Sequence, residues 1–467
     1  MHAETSYLFR HAILRDAAYE LQMPGDRAKL HELAFLLIES AFDGPAPWAE
    51  PLESLAPLSH LPHPCDSVAH ELVIHARLAG STGGALMQER VRRYLQRGAL
   101  HAQLAFDNRL AVALWKELAG ELDSPANGEA MRRAGELAMK CGLTADAEVY
   151  LHEALKLQRE SQTPSLEARC HLTLGRLYAA RGKYKEAELA HRESLRITQS
   201  LGDTIAAGLD QSHIAGVYLE TGRMTEAEDL FQMALSALPD QGSERNGVLP
   251  NLGILYAQTG RLEQARDLLG AAVTAFRTLG TPYQLGICLA NLGTVRHNLG
   301  DTHGALGDLL GALEIHRQAG NRRFEAMVLG NLGNVYERLD DNRRALECLL
   351  AALNIYREIG DRRGEGVALG NHAIQLRLSG RSAESVFQFR QAIEIHRQVG
   401  NRRAEGGHTC DLAISLVADG EIEKAKELWR TGSRILHDLG DQAQMQKLIP
   451  SMQQVCARAG VPELDSI

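Results

Sequence analysis

Apolar positions along this chain recur at helical rather than strand spacing. Around residue 330, Leu329, Leu332, Gly333 and Tyr336 stand at i, i+3, i+4 and i+7, one apolar stripe on one helix face. The same stripe returns at a fixed distance. Asn-Leu-Gly occurs at 251–253, 291–293 and 331–333, with Asn-His-Ala at 371–373 and Asp-Leu-Ala at 411–413. Seven residues after the third member of each stands a turn residue: Gly260, Gly300, Asp340, Gly380 and Gly420. Five further on comes a small one: Ala265, Ala305, Ala345, Ser385 and Ala425. Upstream the ruler finds Gly135/Gly142/Ala147, Gly175/Gly182/Ala187 and Ala215/Gly222/Ala227. Eight copies obey it, at a spacing of 40 that drops to 38 between the third and fourth.

Each copy predicts two helices. The turn glycine permits the left-handed conformation that ends the first. The second carries a small residue such as Ala345 or Ala352 where the two approach, and ends at Gly280, Gly320, Gly360, Gly400 or Gly440. Asn321, Asp361, Asn401 and Asp441 follow those glycines, placed to cap the next helix. One hairpin cannot bury its own apolar face, so neighbouring copies must stack. The expected fold is all-α, an α-solenoid of stacked antiparallel helix hairpins.

The set Gly, Tyr at +3, Ala at +12 and Ala at +19 is complete at Gly253/Tyr256/Ala265/Ala272 and Gly333/Tyr336/Ala345/Ala352. This set resembles the tetratricopeptide repeat (TPR), in a long variant similar to the arrays of bacterial signalling ATPases and polarity adaptors. The usual proline after the second helix is missing. The resemblance implies a right-handed superhelix whose first helices line a concave groove, and a protein-binding role without catalysis.

The ends differ from the repeats. Residues 1–42 read as two amphipathic helices broken at Pro24-Gly25. That segment resembles the piece joining nucleotide-binding core to repeat sensor in STAND-type signalling ATPases and repeat-bearing bacterial kinases. Residues 43–66, with six of the fourteen prolines, read as an irregular linker. Residues 67–122 look like degenerate helical repeats, 123–440 hold the eight regular ones, and 441–467 suggest a capping helix and loose tail. Pro250 is expected in the first turn of its helix, where no intrahelical N–H is needed.

Composition narrows the chemistry. A net charge of −9 argues against nucleic acid. The seven cysteines are scattered without CxxC spacing and read as apolar fillers in a reducing compartment. No apolar run is long enough to span a membrane, so a cytoplasmic location is expected. No GxxxxGK[ST] loop, kinase glycine loop or HRD-type loop occurs, and no enzyme is expected. The histidines of His-Glu-Leu-Val-Ile-His stand five apart, not the four of a zinc helix. His60, His63, Cys65, His70 and His75 therefore predict no metal site, and no cofactor is expected. Gly80-Ser-Thr-Gly-Gly84 reads as a turn after a helix, not a nucleophile elbow.

Opposite the core stripe, one column of the first helices reads Asn251, Asn291, Asn331, Asn371 and Asp411. Ile254, Ile374, Asn334 and Arg338 flank it, with Ile287, Met327, Val367 and Ile414 alongside. Asparagine both donates and accepts, so such a ladder can pair with the backbone of an extended peptide whatever its sequence. It resembles the ladder of O-GlcNAc transferase and polarity-adaptor arrays, which implies a peptide role for Asn251, Asn291, Asn331 and Asn371. The alternative is that these amides bond to the adjacent repeat and hold the stack in register. A second periodic feature pairs Arg322/Arg323, Arg362/Arg363 and Arg402/Arg403 at successive corners. They form either a basic edge for an acidic partner or local ion pairs with Glu325, Glu365 and Glu405. The expected function is a scaffold holding a partner polypeptide in its groove. The alternative is the sensing half of a split system, with a separately encoded ATPase or kinase as partner.

Overall fold

The computed structural model describes residues 22–54, 61–105, 107–239 and 243–464. Among them all regular structure is helical. The chain divides into two compact units, residues 1–177 and 178–467. The first contains α1 (Pro24–Ala41), a short 3-10 turn (Pro64–Val68), α2 (Ala69–Leu78), α3 (Gly80–Leu104), α4 (Asn108–Glu121), α5 (Ala126–Lys140) and α6 (Thr144–Glu160). Helix α7 (Pro164–Ala180) runs across the boundary. The second holds α8 (Tyr184–Ser200), α9 (Thr204–Glu220), α10 (Met224–Ala237), α11 (Ser243–Gln258), α12 (Leu262–Leu279), α13 (Pro282–Leu299) and α14 (Thr302–Gln318). It continues with α15 (Arg322–Arg338), α16 (Asn342–Glu358), α17 (Arg362–Leu378), α18 (Ser382–Gln398), α19 (Arg402–Ala418), α20 (Ile422–Asp438) and α21 (Gln442–Ala459).

The helices start and stop where the side chains dictate. Asp361, Asn401 and Asp441 each accept a backbone N–H at the start of α17, α19 and α21, whereas Asn321 makes no such cap. At the turn within each hairpin the residue is left-handed, and Asp340 holds that conformation at φ 59° where its relatives have glycine.

Close approach explains the other periodic glycines. A Cβ added at Gly253, Gly293 or Gly333 would fall 2.9, 2.8 or 2.8 Å from Cγ of Leu269, Leu309 or Leu349. Where the ruler has alanine instead, at 215, 373 and 413, the facing position holds Phe231, Phe389 and Trp429. A flat ring leaves room for a methyl that a branched leucine does not. Gly333→Ala should therefore destabilise by about 1–3 kcal/mol through overpacking. Adding Leu349→Phe should restore part of that loss. A double-mutant cycle by chemical denaturation reads the coupling, and additive losses would refute the pairing.

At the joint and in the tail the structure departs from expectation. Pro250 lies inside α11, not in its first turn, so one intrahelical bond is forgone. Outside residues 55–60, which are not among those described, the prolyl segment is pinned. Arg97, 2% exposed, donates to Asp66 Oδ1 at 2.6 Å and to the carbonyls of Pro47 and Leu61 at 3.0 and 2.9 Å. Gln96 holds the Glu50 carbonyl at 2.7 Å. The tail is not loose as far as Leu464, which is 2% exposed and donates its N–H toward Met452 Sδ. The first of the two expected N-terminal helices lies outside the described residues; the second is α1.

Candidate functional site

In the C-terminal unit, the ladder positions come from α11, α13, α15 and α17. Each of these first helices buries one face against its hairpin partner and the next hairpin. Leu252, Leu292 and Leu332 are 2, 3 and 1% exposed, and Leu369 is 2% exposed. The opposite face stays half-open: Asn251, Asn291, Asn331 and Asn371 are intermediate in exposure, as are Ile254, Ile374 and Asn334. Val367 is 37% exposed and Arg338 lies open. Asparagines and apolar side chains thus alternate along a row of equivalent positions.

The ladder amides do not share one fate. Asn331 Nδ2 donates to Thr294 Oγ1 of α13 at 3.2 Å, the inter-repeat bond of the structural alternative. Arg338 likewise reaches back one hairpin to the His297 carbonyl at 3.2 Å. Among the described residues, no side-chain hydrogen bond holds Asn251, Asn291 or Asn371. None of their amide atoms is buried without a partner, so solvent reaches what the protein leaves unpaired.

Asp411 is placed differently from the rest of its column. It is 5% exposed, and α21 packs mainly on α19 instead of continuing the stack on α20. Ile414 and Val417 on α19 share one core with Leu448, Met452 and Cys456 on α21. Lys447 of α21 then approaches Asn298 Oδ1, at the end of α13, within 3.3 Å. Burial raises the Asp411 carboxyl to about 6, opposed by Arg377 at 3.8 Å. The chain's own last helix occupies the ladder face of α19, so the open row ends at Asn371. Sequence periodicity marks α21 as a helix but carries no signal for which neighbour it covers.

The paired arginines are engaged within the chain. Glu325, Glu365 and Glu405 are 6, 7 and 3% exposed, each flanked by two guanidiniums. Arg317 and Arg322 sit 3.0 and 2.7 Å from Glu325, and Arg397 and Arg402 sit 2.9 and 2.6 Å from Glu405. Arg357 and Arg362 take Glu365. Arg323 pairs with Asp361 at 2.9 Å and Arg403 with Asp441 at 2.5 Å. Arg363 reaches much further, donating to Tyr184 Oη at 2.7 Å and to Glu220 at 3.1 Å. These arginines are committed to local and long-range pairs instead of forming an unpaired edge.

Of the remaining candidates, His60 lies outside the described residues. Among the described residues, no group of three or more His, Cys, Asp or Glu side chains is placed to hold a metal. His63 caps the 3-10 turn, Asp66 takes Arg97, and His75 lies 2.8 Å from His31. Gly84, at the end of the Gly80–Gly84 run, breaks the helical path with φ 52°. Among the described residues no helix is long and apolar enough to cross a membrane.

Comparison with known proteins agrees with this geometry. A tetratricopeptide-repeat family model matches residues 128–200, 285–358 and 324–398, and a second matches 251–271. No curated protein matches the sequence significantly. Among solved structures, a Rap protein complexed with Competence and Sporulation Factor is similar, with a TM-score of 0.59 and 16% identity over 75% of this chain and 99% of that one. The apo quorum sensor NprR from B. thuringiensis has a TM-score of 0.51 and 15% identity, over 75% of this chain and 99% of its own. A STAND protein with a tetratricopeptide sensor from Pyrococcus horikoshii has a TM-score of 0.44 and 13% identity, over 85% and 69%. Tetratricopeptide repeats thus recur along the chain, matched over 128–200, 251–271 and 285–398, and its helical hairpins stack as an α-solenoid.

Proposed function

We propose that this chain is a protein-interaction scaffold that holds an extended polypeptide segment along Asn251, Asn291, Asn331 and Asn371. The reading rests chiefly on the unpaired amides of Asn251, Asn291 and Asn371, half-exposed at equivalent positions of successive hairpins. Each amide can donate and accept with a peptide backbone, contributing about 0.5–1.5 kcal/mol per bond. Several must act together, with apolar contact from Ile254, Ile374 and Val367 supplying the rest. Asn331 contributes its carbonyl while its NH₂ stays on Thr294. Asn334 and Arg338 border the row. Asp411 is left out, being beneath α21.

The test is capture of partners from the native lysate by the wild type and by Asn291→Ala/Asn331→Ala/Asn371→Ala, with circular dichroism on both. A partner held by the wild type and lost by the folded variant supports the groove. Retention of every partner by the folded variant sinks it. If the variant unfolds, the ladder is structural.

A regulatory version of the same reading has its own support in the long-range contacts of Arg363. Those contacts join α17 to α8 and α9, far away in sequence, and a segment entering the groove would load them. In that version a separately encoded ATPase or kinase reads the change, and the chain works in the cytoplasm.

A further inference from the structure

The ladder column does not stop at Asn251. Following the ruler upstream, the equivalent positions are His213 on α9, then Thr173 on α7 and Arg133 on α5. The flanking columns become Glu129 and Arg169 on one side, and Glu136 and Arg176 on the other. In the N-terminal unit, then, the face that carries amides and isoleucines elsewhere carries charges.

Those charges do not balance. Glu129, 0% exposed, takes a bidentate pair from Arg132 at 2.8 and 2.8 Å, with Arg133 Nε at 3.0 Å and Arg169 Nη2 at 3.3 Å. Glu136 takes Arg132 Nη1 at 3.0 Å and Arg176 Nη1 at 3.2 Å. Four guanidiniums share two carboxylates. The corner arginines of the C-terminal unit show the same ratio around each buried glutamate, but there the guanidiniums are 45–58% exposed and water carries the excess. Here Arg132 and Arg133 are 6 and 9% exposed.

Donors are left over as well. Arg133 Nε meets Glu129 only as an ion pair, out of line for a hydrogen bond, and Arg169 Nη1 is buried and makes none. Arg133 instead lies over the Trp115 ring, 5.3 Å from its centroid. Its guanidinium is pushed down to about 10, chiefly by burial. Two carboxylates cannot neutralise four cations, and an excess of buried positive charge is costly. Arg169 and Arg176, with side chains 31 and 40% exposed, form the accessible lip of the cluster.

We infer that α5 and α7 carry an anion-binding site, formed by Arg133, Arg169 and Arg176 around Glu129 and Glu136, that takes the carboxylate side chains of an acidic peptide segment. The deficit of two negative charges fits two neighbouring acidic residues. A peptide is the bearer because these positions stand in the same repeat register as the ladder columns; that choice rests on the groove reading, whereas the anion preference does not. Arg169 and Arg176 supply the first contacts, and reorientation of Arg169 brings its idle Nη1 onto the incoming oxygen.

The experiment uses the full chain and two labelled peptides with blocked ends, identical except for a central Glu-Glu or Gln-Gln pair, read by fluorescence anisotropy. The Glu-Glu peptide should bind about tenfold tighter than its Gln-Gln counterpart, and the margin should shrink with added salt. Arg169→Gln/Arg176→Gln should erase the preference, and Arg176→Gln alone, at the more exposed position, should already reduce it. The Asn291→Ala/Asn331→Ala/Asn371→Ala variant should keep the preference even if overall affinity falls, which separates this site from the ladder. Equal binding of the two peptides by wild type, or an undiminished preference in the folded double variant, would overturn the proposal. So would inorganic phosphate displacing the Glu-Glu peptide at concentrations where succinate of equal ionic strength does not, since the site would then be one for phosphate.

Discussion

A chain ended at Gly440 should lose more helix than the residues removed, because α21 covers the last hairpin. Without it, Ile414 and Val417 on α19, now 0 and 2% exposed, face water. The cut also discards Leu448, Met452, Cys456 and Leu464, all at most 5% exposed. Full burial of a large apolar side chain stabilises by about 1.5–3 kcal/mol, so the sum is several kcal/mol. A solenoid is held by nearest-neighbour terms, and the loss falls on α19 and α20 first. The expected result is rapid hydrogen exchange across 402–438, with protection kept at 282–358. Unchanged protection of 402–438 in the shortened chain would show that α21 is a passenger.

The pH dependence of stability should split into two limbs assigned to two residues of one core column. That column reads Ala130, Cys170, Asp210, Val248, Cys288, Val328, Ala368 and His408. His408 Nδ1 sits 3.0 Å from His396 Nε2, a bond in which one ring must accept and so be neutral. Burial lowers His408 to about 3 and His396 to about 4. For a base whose folded pKa lies below its unfolded value near 6.5, the unfolded chain binds more protons in between. Stability therefore falls as pH drops below about 6.5 and keeps falling toward 4.

Asp210, 1% exposed, runs the other way, its carboxyl raised to about 7 mainly by burial. Thr198 Oγ1 lies 3.0 Å from Asp210 Oδ2 and 3.1 Å from the Leu195 carbonyl. One hydroxyl hydrogen serves both only when a neutral carboxyl donates to the threonine oxygen. The folded state then holds the extra proton, and stability is lost as pH rises from about 4 to 7. Asp210→Asn should raise the unfolding temperature at pH 8 and leave it nearly unchanged at pH 4. His408→Val, the residue at the equivalent Val328, should do the reverse and flatten the acid limb. Thermal unfolding across pH 4–8 reads both. If each variant shifts stability by the same amount at every pH, neither group titrates as described.

These results divide what the sequence shows from what it hides. The hairpins were legible because identical contacts, such as Gly333 against Leu349, recur at one spacing and leave identical residues. The ladder was legible as a column of like residues, although only Asn331 among its amides bonds the neighbouring hairpin. Arg363 was not, since its partners Tyr184 and Glu220 lie 179 and 143 residues away and belong to no period. Nor was the cover over Asp411, because an amphipathic pattern fixes that α21 buries a face without fixing where. Pro250 misled because neighbouring packing tolerates one missing bond in α11. The charged stretch of the ladder face was within reach of the ruler, which passes through Arg133 and Thr173, but asparagines alone draw attention to the column.

The central claim is that partners lie along the open first-helix face, and site-specific photocrosslinking tests it most directly. A benzoylphenylalanine would replace Val367 on the ladder face, 37% exposed, or Leu350 on α16, 40% exposed. At matched exposure, the account predicts a partner crosslinked through position 367 and not through 350, with the product lost in the Asn291→Ala/Asn331→Ala/Asn371→Ala background. A partner crosslinked equally from both positions, or from 350 alone, would contradict it.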